Sequence, residues 1–208
     1  MKKLSLIFCF LFMVTFMFAQ EFNKWSVEPE VGLTKVRDVT SVGFANGGIG
    51  IRYMITPIFG AKVSGSYSHL DYPLEYVSGQ FMGVCNFGRL AKLENLANNK
   101  WTIIVGVGGD YTYSKGFTNA VIFHQLSDFH LAGYVDNEFR ITDKFFLTAG
   151  LNVTTGVNSR PFLTPYNSTM STSIVDFNVK AIFVLGKKKV HADFYLEPAL
   201  NPDNTIGL

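Results

Sequence analysis

The sequence predicts an all-β fold: an eight-stranded antiparallel up-and-down transmembrane β-barrel. Three observations predict it. Apolar side chains recur at every second position in segments of about ten residues, the period of a strand. Aromatic residues gather at the two ends of those segments, and the connections alternate between long and short.

The chain of 208 residues is sized for a single domain. Lys2 and Lys3 precede an uncharged apolar run from Leu4 to Phe18, followed by Ala19-Gln20 and the first acid, Glu21. That is the layout of a secretory signal peptide. The run is shorter than the roughly 20 residues a membrane-spanning helix requires. Residues 1–20 are therefore expected to be removed, with the cut after Ala19 or Gln20, because Met17 is a poor match for the small residue usually found there. Cys9 lies in the apolar run without the context of a lipid anchor. Residues 21–193 are assigned to the barrel, and 194–208, with Pro198, Pro202 and Asp203-Asn204, to a flexible polar tail on the periplasmic side.

Loss of Lys2 and Lys3 leaves 16 basic against 16 acidic residues. A neutral chain carries no nucleic-acid footprint. Cys85 is then the lone cysteine, which excludes an intramolecular disulfide. Charged residues are 16% of the chain, below the average of about 25%, which points to a surface in contact with something other than water.

In order, the first segment sets Trp25, Val27, Pro29, Val31 and Leu33 against Ser26, Glu28, Glu30 and Gly32. Ile49, Ile51, Tyr53 and Ile55 alternate with Gly50, Arg52 and Met54. Phe59, Ala61, Val63 and Tyr67 oppose Gly60, Lys62, Ser64 and Ser66. A fourth segment, Gln80 to Leu90, breaks its alternation and predicts a bulge. The fifth sets Trp101, Ile103, Val105, Val107, Tyr111 and Tyr113 against Thr102, Gly106, Gly108, Asp110 and Thr112. Phe129, Leu131, Val135, Phe139 and Ile141 then oppose His130, Ala132, Tyr134, Asp136, Glu138 and Arg140. Phe145, Leu147, Ala149, Leu151 and Val153 oppose Thr148, Gly150, Asn152 and Thr154. Last, Val175, Phe177, Val179, Ala181, Phe183 and Leu185 oppose Asp176, Asn178 and Lys180.

The stretches Thr34–Ala45, Ser68–Gly79, Ser114–Ser127 and Gly156–Thr172 read as long polar loops. Thr56-Pro57 and Thr142-Asp143-Lys144 read as tight turns, with Ala91–Lys100 as the exception at that end. Long loops outside and short turns in the periplasm are the pattern of bacterial outer-membrane barrels.

Alternation alone also permits a soluble lipid-binding barrel of the lipocalin type, so the facing must be argued separately. The polar face is mostly Gly, Ser, Thr and Asn, which suits a crowded interior better than a wetted exterior. Trp25, Tyr53, Phe59, Trp101, Phe139, Phe145 and Phe183 fall at the short-turn end, and Tyr67, Tyr111, Tyr113, Phe129 and Phe177 at the long-loop end. Two aromatic girdles flanking an aliphatic band are what membrane interfaces select. In lipid every backbone polar group must be paired internally, which closure achieves. Eight strands leave an interior that side chains fill, which disfavours a general diffusion pore of the porin kind. The inward charges Glu28, Glu30, Arg52, Lys62, Asp110, Asp136, Glu138, Arg140, Asp176 and Lys180, with Arg89 if a bulge turns it in, are expected to pair across the lumen, because buried charges are costly unless compensated.

The stretches Asn23-Lys24-Trp25-Ser26-Val27, Gly50-Ile51-Arg52-Tyr53-Met54, Phe59-Gly60-Ala61-Lys62, Asn86-Phe87-Gly88-Arg89 and Lys189-Val190-His191-Ala192-Asp193 resemble the N-terminal barrel of OmpA-type outer-membrane proteins. The resemblance spans Asn23 to Asp193. It implies an envelope protein of a Gram-negative bacterium that shapes the outer membrane, with loops for adhesion or phage contact. Many such proteins continue into a peptidoglycan-binding domain. Here the chain ends at Leu208, so a barrel-only protein is the expectation.

The sequence predicts no enzyme, cofactor or metal. A lipid A hydrolase or acyltransferase would need a base beside a nucleophile. His69, His124, His130 and His191 are the histidines, and Ser127 and Asp128 lie between His124 and His130. Proximity in sequence does not make a triad. His124 and His130 lack zinc-cluster spacing, and Cys85 is distant. Gly106, Gly108 and Gly109 sit in a strand, where glycine marks close packing and not a phosphate loop. The sequons at Asn152 and Asn167 are read as accidental. The expected partners are outer-membrane lipid and lipopolysaccharide, with an external ligand or host surface at the long loops. A monomer is expected.

Overall fold

The alternating segments fold as antiparallel strands that close into a barrel in sequence order, β1 pairing with β8. They are β1 (Trp25–Val36), β2 (Phe44–Met54), β3 (Phe59–Leu70), β4 (Leu74–Asn86), β5 (Trp101–Thr118), β6 (Val121–Arg140), β7 (Phe145–Gly156) and β8 (Ser173–Leu185). A single-turn helix, α1 (Phe87–Leu90), lies between β4 and β5. The structure, a computed structural model, describes residues 22–36, 44–70, 74–93, 99–118, 121–156 and 173–195. The leader expected at 1–20 lies outside the described residues, as do 196–208 of the expected tail.

Facing follows the alternation. Val31, Ile49, Val63, Val107, Leu131 and Val179 are exposed, while Glu28, Arg52, Lys62, Asp136, Glu138 and Lys180 are buried. Greasy residues outside and ionised ones inside are the inverse of a soluble barrel. The register also assembles the lower girdle: Trp25 lies opposite Tyr53, Trp101 opposite Phe139, and Phe145 opposite Phe183. The Phe145 and Phe183 rings are 5.3 Å apart. Phe129 sits opposite Tyr111 in the upper girdle.

Two corrections concern strand ends. Ser68–Gly79 and Ser114–Ser127 are mostly strand, with β3 and β4 separated by residues 71–73 and β5 and β6 by 119–120. Their polarity suggests loops, but ladder hydrogen bonds are made by the backbone: His69 pairs with Glu75 and Ser66 with Ser78. Where strands rise above the bilayer, a polar sequence no longer distinguishes strand from loop. The fourth strand runs Leu74–Asn86 in unbroken register with both neighbours and has no bulge. Its disturbed alternation near Leu90 is α1, capped by the Asn86 side chain, which accepts from the Arg89 N–H at 2.9 Å. The register shift among the described strands is between Gly116 and Phe117.

At the β1/β8 seam the ladder keeps its register but skips Glu28 and Pro29. Proline has no N–H to give, so the seam forgoes a rung there.

Candidate functional site

After β8 the chain turns inward. Gly186 has φ +130°, a conformation a side chain would strain. Asn23 clamps the next residues: its Oδ1 accepts the Lys188 N–H at 2.9 Å, and its Nδ2 donates to the Lys188 carbonyl at 2.6 Å. Asn23 and His191 form an isolated parallel bridge, which ties the segment before the first strand to the segment after the last. The chain then makes one 3-10 turn, Ala192–Phe194, inside the short-turn mouth, with His191, Ala192, Asp193 and Phe194 all buried.

The barrel receives this plug with apolar residues on its inward face. Phe194 packs edge-on to Phe146 at 4.8 Å between centroids, beside Ile182 and Val184. Ala192 and Phe22 join Met54, Val84 and Ile104. Burying a phenylalanine side chain contributes about 1.5–3 kcal/mol, so Phe194 is a principal anchor. The plug carbonyls are also satisfied. Asn86 Nδ2 donates to Asp193 O at 3.1 Å, and Asn99 Nδ2 to Phe194 O at 2.7 Å. The boundary expected after Asp193 falls inside this turn.

Above the plug sits Arg52, 1% exposed. Its guanidinium meets Glu28 from β1 at 2.7 Å, Glu138 from β6 at 2.9 Å and Asp193 from the plug at 2.9 Å. Glu28 also binds Lys62 at 2.7 Å. Lys180 holds Asp136 at 2.7 Å, with Glu30 at 3.8 Å. The Tyr134 ring lies between these groups, 4.8 Å from Lys180 Nζ and 5.3 Å from Lys62 Nζ. Gly106 faces that ring so closely that a Cβ there would strike it. The plug joins the network electrostatically: burial pushes Asp193 up, but Arg52 and His191 outweigh it and hold the carboxyl below its ordinary value.

Acid–base pairing across the lumen therefore holds for Glu28, Glu30, Asp136 and Glu138. It does not extend to Asp110 or Asp176. Asp110 accepts from Tyr76 Oη at 3.2 Å and Thr112 Oγ1 at 3.0 Å, and Asp176 from Thr34 Oγ1 at 2.5 Å and Asn46 Nδ2 at 3.3 Å. Near the long-loop end hydroxyls and amides replace cations as partners. Arg140, expected to pair across the lumen, pairs with Asp143 in the β6–β7 turn, because its strand position is at the mouth. Arg89 is not in a strand; it reaches the Ala192 carbonyl at 3.4 Å.

Ser127 is exposed and His130 buried, so they lie on opposite faces of β6. His130 stands opposite Asp110, Asp128 opposite Thr112 and His124 opposite Gly116. His191 belongs to the plug, and the His69 side chain lies outside what is described. Among the described residues no group of His, Cys, Asp and Glu could hold a metal ion. Asn152 is buried in the lumen, and Asn167 lies outside the described residues.

The sequence reading missed the plug and its bed. A signal for the bed exists: alternation lapses beside the short turns, in Ile103-Ile104-Val105, Phe145-Phe146-Leu147 and Ala181–Leu185. An apolar residue facing inward at a barrel mouth needs an apolar partner, and the partner is the segment after the last strand.

No protein-family model and no curated protein matches the sequence. Solved structures do. The Neisserial surface protein A superposes with a TM-score of 0.61 at 10% identity, over 77% of this chain and 97% of that one. The N-terminal β-barrel domain of Pseudomonas aeruginosa OprF gives 0.53 at 14% identity, over 79% and 100%. Yersinia pestis Ail, solved with the heparin analogue sucrose octasulfate, gives 0.50 at 11%, over 78% and 99%. With its closed eight-stranded sheet, apolar exterior and charged interior, this chain has the fold of the OmpA-type bacterial outer-membrane barrels.

Proposed function

We propose that this protein is a structural barrel of the outer membrane, sealed in its lower half by its own C-terminal segment and presenting its long-loop end to the outside. The observation that carries the reading is the position of Arg52, which joins strand carboxylates and the plug carboxylate in one buried cluster. Charges paired across the lumen in this way, above a floor of packed rings, support a rod that braces the membrane rather than a conduit. Residues 1–20 act as a cleaved signal peptide that delivers the chain across the inner membrane. The barrel domain ends with the plug, and the residues after it are assigned to the periplasmic side.

The reading is not catalytic. Ser127 and His130 lie on opposite faces of one strand and do not form a base–nucleophile pair, so lipid A profiles of cells carrying His124→Ala and His130→Ala are expected to match those of the parent. The outer end is the place for contact with lipopolysaccharide and external ligands. The bound sulfated sugar in the Ail complex supports testing polyanions there first.

Reconstitution decides the main claim. The folded protein is expected to migrate as a heat-modifiable species, to be protected by liposomes and to show no steady conductance in planar bilayers. A stable channel from the intact protein, or folded material in the periplasm without detergent, overturns it.

A further inference from the structure

Among the described residues the short-turn rim is strongly basic. Around it, Lys24 precedes β1, Lys187, Lys188 and Lys189 follow β8, Lys144 precedes β7, and Lys100 precedes β5. Lys100 is bound into the same rim, its carbonyl accepting the Arg140 N–H at 2.9 Å. Among the described residues the acid on the outside of this rim is Asp143, and Arg140 pairs with it. The basic groups therefore run in an arc over neighbouring strands, while the Ile55–Ile58 turn between β2 and β3 is uncharged.

Two features separate this arc from an ordinary solvated charge run. First, the lysines of residues 187–189 are held in place. Gly186 sets the turn, Asn23 grips both sides of the Lys188 peptide unit, and Lys144 Nζ donates to the Gly186 carbonyl. All three side chains remain exposed. Second, the arc borders the lower girdle directly: Lys24 Nζ lies 5.8 Å from the Tyr53 ring, and Trp25, Phe139, Phe183 and Leu185 are exposed beside it.

We propose that this arc is a binding collar for anionic phospholipids of the inner leaflet. A ligand for it must offer hydrocarbon and negative charge side by side, since the apolar ring and the ammonium groups adjoin. A phosphodiester headgroup on acyl chains has that form, and an acidic protein or glycan would leave the girdle uncovered. Lysines at a membrane surface attract such headgroups through a field that salt screens. The inference rests on the membrane reading above, and its test separates the two.

Trp25 and Trp101 are the two tryptophans of the chain, and both stand at this rim. They report on whatever lipid lies against it. The protein is folded into vesicles of equal parts phosphatidylcholine and phosphatidylglycerol, with brominated chains on one lipid or the other. Brominated phosphatidylglycerol is expected to quench about twofold more than brominated phosphatidylcholine at low salt, by the attraction of several lysines. High salt, and separately the exposed triple substitution Lys187→Gln, Lys188→Gln and Lys189→Gln, should each reduce the ratio toward one, with heat-modifiable migration confirming the fold. Equal quenching by the two lipids overturns the collar and leaves the barrel reading standing. No quenching by either overturns both.

Discussion

Arg52 and Asp193 meet at 2.9 Å inside the barrel, one from the second strand and the other from beyond the last. The pair makes the C-terminal segment part of the fold, because the guanidinium draws on Glu28, Glu138 and Asp193 together. Removing Arg52 strands buried carboxylates. Arg52→Ala is expected to cost about 3–5 kcal/mol in urea unfolding from detergent micelles. A loss within the range of a surface substitution would mean the cluster is not formed.

Phe194 should govern whether the mouth stays closed. Phe194→Ala empties the site beside Phe146 and is expected to cost about 3–5 kcal/mol. The looser plug should free the backbone at Lys187–Lys189, otherwise held through Asn23, for trypsin cleavage and raise bilayer conductance above that of the parent. Unchanged trypsin resistance would place the anchoring elsewhere.

Gly106 and Tyr134 should couple. A side chain at position 106 collides with the Tyr134 ring, so Gly106→Val is expected to destabilise by about 1–3 kcal/mol. Combined with Tyr134→Ala it should cost less than the two substitutions summed, as a double-mutant cycle measures. Additivity would show that the ring does not fill that space.

Depth along the exterior gives a further test. Val107 is 68% exposed, midway between the girdles, and Leu185 is exposed at the lower rim. Val107→Arg is expected to cost about 2–4 kcal/mol on folding into vesicles, and Leu185→Arg no more than about 1 kcal/mol. Equal costs would argue against a lipid-facing band.

Acid should loosen the plug. The Asp193 carboxyl is held below its ordinary value of 3.8 in the fold, so its stabilising contribution is complete above that pH and is lost as pH falls below it. Urea midpoints taken from neutral pH down to about pH 3 should therefore drop at the acid end, and the drop should be smaller in Asp193→Asn. Identical profiles for the two proteins would remove Asp193 from the acid response.

Strand number, order and facing were legible because a lipid-facing band forces strict alternation, as in Phe59–Ser68. Strand length was not. Above the band neither face has to be apolar, so His69 and Glu75 read as loop although they pair in the ladder. The partners of single charges were hidden too, since period two shows that Asp110 and Arg140 face inward but not at what height. The plug escaped because its four buried residues carry no periodicity, and its bed looked like surplus hydrophobicity in strands already assigned.

The bridge between Asn23 and His191 has a consequence for how the molecule is made. The earliest and latest parts of the barrel domain finish each other, so a polypeptide interrupted before His191 possesses every strand yet lacks its stopper. Such a product can close its sheet while a positive charge in the bore goes short of one counter-ion. Translation past Asp193 is thereby written into the seal itself.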